Sequence, residues 1–305
     1  MSEPAKRRRL APISLRCIGF CGVDDSVEPL LLKAVSLAHP TVEWGVLFRP
    51  DLAGSPRYAS DAWLDALAKV NVATYPGGAT EGCVQDRAKT DHGGAAGSRP
   101  VRLAGHLCSS RVDEVLAGNS TFIARVADQL GIARFQINAT ATNGVDVSVF
   151  ADDAGADRCA LAIRKVCAAC PSIEFILQCN VHTKPLWKRL CEGAGRNGNH
   201  DGGVSSSEQV PPSNLSLLYD ESMGLGVACE AWRPPIEGVP CGYAGGLAPE
   251  NIKEQLSAIA AAAPGRNLWV DMESSLRAKT CDGRDVFDVN RAVSCVRQLQ
   301  EMGLM

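Results

Sequence analysis

Two adjacent glycines, Gly245 and Gly246, close the apolar run "CGYA" and stand just ahead of "LAPENIKEQL", which has helical spacing. Glycines at a strand-to-helix turn let backbone N–H groups approach an anion closely. The positive end of the following helix adds to the attraction. Pro249 suits the first turn of that helix. Ser274 and Ser275, just after the apolar run "NLWVDM", are placed to complete such a pocket. The chemistry implied is capture of phosphate or a similar oxyanion, although a tight turn of positive φ asks for the same glycines. Further polar residues end or follow apolar runs: Cys21 after "LRCIGF", "RPDLAGSPRYAS" after "VEWGVLF", and Asp220 after "NLSLLY".

These residues need a scaffold that gathers strand ends. Short apolar runs alternate with amphipathic segments along the chain. "LRCIGFCG", "VEWGVLF", "VRLAGHLC", "ARFQIN", "IEFILQCN", "NLSLLYD", "PCGYAGG" and "NLWVDM" read as strands. "SVEPLLLKAVSLA", "SDAWLDALAKV", "RVDEVLA" with "TFIARVADQLG", "DRCALAIRKVCAAC", "KPLWKRLCE", "PENIKEQLSAIAAAA" and "DVFDVNRAVSCVRQLQEM" read as helices. The strand "NLSLLYD" has no clear helix after it. Strands without polar alternation belong to a parallel sheet covered by helices. Eight strand-helix units at this length predict a single (β/α)₈ barrel, with the site at the carboxyl ends of the strands. The rival, a doubly wound open sheet, lacks a G-x-G-x-x-G after the first strand. Residues 1–13 read as a basic disordered tail. Gly/Ser-rich stretches near 75–99 and 193–213 read as flexible insertions at the opposite face of the barrel.

Composition narrows the function. The chain has 305 residues with 46% hydrophobic and 21% charged, and its formal net charge is −3. A packed core is expected, and no basic field exists to hold nucleic acid. The "KRRR" run at Lys6–Arg9 reads as a solvated tail, with a nuclear import signal as the alternative. No apolar h-region follows it, and the longest apolar run, "LSAIAAAAPG", is too short for a bilayer, so a cytoplasmic protein is expected. The 13 cysteines are odd in number and scattered through apolar segments, as expected of reduced thiols used as small core residues. "CAAC" at Cys167–Cys170 has the spacing of a zinc or redox pair but no second pair at ligand spacing, and no H-x-x-x-H occurs. Neither a metal nor a cofactor is expected.

"GFCGVDD", "GVLFRPDLAGSPRYAS", "FQIN", "LLYDESMGLG", "AGGLAPENI" and "WVDMESSLR" follow one another in an order and spacing that resemble phosphoribosylanthranilate isomerase. "SPRY" and "AGGLAPEN" are the most specific of these, and the resemblance runs from about Ile18 to Val296. It implies a cofactor-independent (β/α)₈ barrel of tryptophan biosynthesis. Such an enzyme converts a phosphorylated aminoaldose to its aminoketose by Amadori rearrangement. It also implies Asp220 as the acid that protonates the ribose ring oxygen and Cys21 as the base that removes the C2′ proton. Arg57 and Gln136 would bind substrate, and Gly245, Gly246, Ser274 and Ser275 would hold its phosphate. The partner is then a small phosphorylated anion, and the protein a monomer or homodimer. A thiol becomes a usable base when dipoles or cations favour its thiolate. A carboxylic acid donates near neutrality only if burial raises its pKa. The guanidinium of Arg57 matches a planar carboxylate with two parallel donors.

The chain departs from that pattern in places. Gly19 stands where the family has lysine, Glu273 and Ser275 alter its "SSG", Asn138 and Ala139 alter its "QLHG", and the glycine-rich loop after the sixth strand is reduced to "SMGLGV". A barrel that binds an anionic sugar phosphate without catalysis, or with another specificity, is the alternative reading. Schiff-base aldolase chemistry is disfavoured, because "NLSLLYD" offers no lysine.

Overall fold

A computed structural model describes residues 13–72, 99–192, 210–222, 225–227 and 231–305. The basic run at Lys6–Arg9 and nearly all of both proposed insertions lie outside the described residues. Ile13, read as tail, is buried in the main hydrophobic core.

Eight parallel strands close into a barrel in sequence order. They are β1 (Ser14–Cys21), β2 (Val42–Phe48), β3 (Leu103–Leu107), β4 (Arg134–Ile137), β5 (Glu174–Cys179), β6 (Leu215–Tyr219), β7 (Cys241–Ala244) and β8 (Asn267–Met272). Closure is made by β1 on β8, with Ile18 opposite Val270 and Phe20 opposite Met272. Every residue of β2 is buried, as a strand covered on both faces must be. The (β/α)₈ class read from the alternation of apolar and amphipathic segments is therefore the observed one.

Helices α1 (Pro29–Ala38), α2 (Asp61–Val70), α3 (Ser110–Leu116), α4 (Thr121–Leu130), α5 (Asp153–Ala169), α6 (Lys184–Trp187), α7 (Ile252–Ala262) and α8 (Val289–Glu301) complete the chain. They are not one per strand. Both α3 and α4 connect β3 to β4, and no helix lies between β6 and β7 among the described residues. Helices α1, α5, α7 and α8 start elsewhere than the sequence reading placed them, and the last two have a local cause. Residues 285–287 form a short strand, β10 (Asp285–Phe287), antiparallel to β9 (Arg277–Lys279). Arg277 holds Asp285 at 2.8 Å, and Asp288 then caps α8 by accepting from Asn290 N–H. Helix α7 begins after Pro249, because Asn251 folds back to accept from Ala248 N–H and to donate to the Gly246 carbonyl, each at 2.8 Å.

The main core lies between the strands and the helices, around Trp44, Phe20, Phe135, Phe150 and Phe175. Inside the barrel a smaller layer contains Cys17, Ile176, Leu218, Ala244 and Trp269. At the amino ends of the strands, Arg134 bridges Glu43 and Glu174, and Arg16 and Arg102 flank the pair. The guanidinium carbons of Arg16 and Arg134 lie 4.3 and 4.5 Å from the ring centre of Trp269. Eleven described cysteines are free thiols, and all but Cys281 are buried. No helix among the described residues is long and apolar enough to cross a membrane.

Candidate active site

The carboxyl ends of the strands surround one cavity. Cys21, Gln136, Asp220, Gly245, Gly246, Ser274 and Ser275 all line it, although they come from widely separated parts of the sequence. His106, Asn138, Gln178, Asp271 and Glu273 join them. The sequence reading assigned the first four no role in the site and took Glu273 as a carboxylate that could oppose phosphate. Their signal was a polar residue interrupting an apolar strand near its carboxyl end: His106 in "LAGHLC", Gln178 in "FILQCN" and Asp271 in "WVDM".

Cys21 Sγ lies 3.1 Å from His106 Nδ1, and both side chains are buried. The expectation of a readily formed thiolate is corrected here. Burial pushes the Cys21 thiol well above its ordinary pKa, and the carboxylates of Glu273 and Asp271 push the same way; Arg57 opposes them. His106 is held neutral, its pKa lowered to about 3 by burial and then by Arg134. The sulfur and the ring nitrogen are at hydrogen-bond distance, with donor and acceptor set by the imidazole tautomer.

Asp220 is fixed by its neighbours. It accepts from Ser222 N–H at 3.1 Å, from the Ser222 hydroxyl at 2.5 Å, and from Gln178 Nε2 at 3.3 Å. Gln178 Oε1 is buried and has no hydrogen-bond partner among the described residues. Gln136 donates to Asn138 Oδ1 at 2.7 Å. Asp271 keeps its proton to about pH 8, because burial raises its pKa and Glu43, Glu273 and Asp220 add to the effect against Arg134.

Arg57 does not line the cavity. Its Nη1 donates to Glu273 Oε1 at 2.9 Å and approaches the Ser274 hydroxyl at 3.4 Å. The fork read as a partner for a substrate carboxylate is thus engaged by the chain's own Glu273. Arg57 is held in a left-handed conformation with φ 79°, and its N–H donates to Asp24.

Gly245 and Gly246 have φ of 110° and 64°, which a side chain would strain, so the turn does need glycine. The N–H groups of Gly245, Gly246, Ser274 and Ser275 find no acceptor among the described residues. Four such donors on residues that line one cavity are the material of a cradle for an oxyanion. The hydroxyl of Ser275 is engaged with the Leu247 carbonyl at 2.6 Å, which leaves its backbone for that task.

As bounded by the described residues, the cavity measures about 60 Å³. Small-molecule sites run to about 300–1,000 Å³, so a sugar phosphate requires the rim to move. Glu273 is the side chain whose departure would both enlarge the space and release Arg57. A roomier cleft of about 390 Å³ lies outside the barrel near α2 and α4. Two of its arginines, Arg49 and Arg111, are paired with Asp51 and Glu114, and it contains no strand-end acid or thiol. The smaller cavity is therefore the candidate site. No protein-family model matches the chain, and no curated protein matches it.

Proposed function

We propose that the chain is a cofactor-independent isomerase of a phosphorylated aminoaldose, resembling phosphoribosylanthranilate isomerase. The observation that carries this reading is the meeting of an oxyanion cradle at Gly245, Gly246, Ser274 and Ser275 with a thiol–imidazole pair and a carboxyl group in one cavity. The phosphate anchors the sugar on the free N–H groups. Asp220 gives its proton to the ring oxygen, and the ring opens to the imine. Cys21, in its ionised form, takes the C2′ proton, and His106, 3.1 Å away, orients its sulfur. The electron pair left on C2′ forms the enolamine, which tautomerises to the ketose. In that step C1′ receives the proton held by Cys21 and the C2′ hydroxyl gives its proton to Asp220, so both groups are restored and no cofactor is needed.

Gln178 Oε1 is a buried acceptor suited to a ribose hydroxyl. Arg57 serves the carboxylate of the aromatic half once Glu273 leaves it. The test is turnover of phosphoribosylanthranilate by the purified chain, read as loss of anthranilate-type fluorescence. Turnover supports the reading. Binding of that substrate without turnover favours the non-catalytic barrel, and absence of binding overturns the cradle.

A further inference from the structure

We propose that Cys21, His106 and Asp271 form a binding site for a divalent metal ion of the zinc class at the centre of the barrel mouth. One ligand atom from each residue lies within 4.8 Å of the other two, and the sulfur and imidazole nitrogen are already 3.1 Å apart. Zinc holds sulfur at about 2.3 Å and nitrogen or oxygen at about 2.0–2.2 Å, which sets neighbouring ligand atoms roughly 3–4 Å apart. The three side chains therefore close on an ion with shifts of about an ångström. A thiolate, an imidazole and a carboxylate select zinc or cobalt over magnesium or calcium, which prefer oxygen alone. Three ligands leave a fourth position on the cavity that all three residues line.

A second observation points the same way. Asp271 is 8% exposed and accepts no hydrogen bond from any described residue. Buried carboxylates are ordinarily paired or bound to metal. The chain keeps room for this one: a Cβ on Gly19 would stand 2.4 Å from Asp271 Oδ1. Asp220 and Glu273 line the same cavity, and among its described lining residues there is no lysine or arginine. A divalent cation would offset this concentration of carboxyl groups. Sequence spacing hid the site, because its ligands come from β1, β3 and β8.

Binding displaces the protons of Cys21 and of Asp271, and a thiolate engaged by a metal no longer accepts a proton from carbon. The metal-bound form and the proton abstraction proposed above therefore exclude each other, and the two ideas fail independently. The test is titration of the full chain, freed of metal by chelation, with Co²⁺ and then Zn²⁺. We expect one equivalent of Co²⁺ with a near-ultraviolet thiolate charge-transfer band, displaced by Zn²⁺, and a thermal midpoint raised by Zn²⁺. Cys21→Ser should remove the band. Asp271→Asn should weaken binding at least about tenfold. In chelator it should unfold no earlier than the parent, which separates lost ligation from lost folding. A band that survives Cys21→Ser would assign the metal to another thiol, such as the exposed Cys281, and overturn the proposal. So would failure of the folded parent to bind, or unchanged affinity in Asp271→Asn.

Discussion

At the scale of the residue, Cys21 and Asp220 stand on β1 and at the end of β6, on different sides of one cavity, so a substrate between them can lose a proton to one and gain one from the other. Asp220→Asn keeps the shape and removes the acid, and Cys21→Ser substitutes a far weaker base. Each is expected to lower kcat by about 10²–10⁴-fold while ligand affinity is retained, as steady-state kinetics and calorimetry would read. Parent-like turnover in both would show that other groups perform the transfers. Asp271 is the rival acid because it keeps its proton near neutrality, so Asp271→Asn in the same assay separates the two carboxyls. The raised pKa of Asp271 has a further consequence. Between the ordinary carboxylate range and about pH 8 the folded chain binds a proton that the unfolded chain has lost. Stability contributed by this group is therefore present at acid pH and falls as pH rises through that window, by up to about 1.4 kcal/mol per pH unit. Asp271→Asn should flatten that slope in denaturant titrations run from pH 4.5 to 8. Glu273 is a third lever. Glu273→Ser frees Arg57 and enlarges the cavity, and tighter binding of an anthranilate-type carboxylate is expected. Unchanged binding would show that Arg57 does not serve the ligand.

At the scale of the element, the turn after β7 depends on Asn251 as much as on its glycines. Asn251→Ala removes two hydrogen bonds, each worth about 0.5–1.5 kcal/mol, and releases the Gly245–Gly246 turn from α7. A lower thermal midpoint together with weaker phosphate binding is expected; loss of stability alone would separate the turn from the cradle. The β strands were legible in the sequence because apolar runs flanked by amphipathic segments have few other solutions. "VEWGVLF" and "NLWVDM" match β2 and β8 residue for residue. The start of α8 was not legible, because the β9–β10 hairpin rests on Arg277 reaching Asp285 across a turn, which no periodicity signals. The strand-end positions of Cys21 and Asp220 were legible from local pattern, and Gln136 entered only through the resemblance. The pairing of Cys21 with His106 was not, for it depends on β1 and β3 bringing distant residues together. Arg57 was read as waiting for a ligand; its engagement by Glu273 joins the loops after β2 and β8 and is equally invisible along the chain.

At the scale of the whole molecule, the barrel has unlike ends. Its amino end is filled by Arg134 between Glu43 and Glu174, beneath Trp269. Arg134→Met would leave two carboxylates short of their shared cation, Glu43 almost wholly buried. Breaking a buried pair in this way costs about 3–5 kcal/mol, whereas exchanging both partners for apolar residues can be nearly neutral. Denaturant midpoints of Arg134→Met and of the double variant with Glu43→Leu would show whether the effect lies in the stranded charge. Among the described residues, the same ionic layer stops the barrel at one end and leaves the mouth as the approach to the cavity. If the chain turns over substrate as proposed, what enters by the mouth departs by it: a lingering product blocks its own successor, and a product analogue should compete with substrate for the doorway.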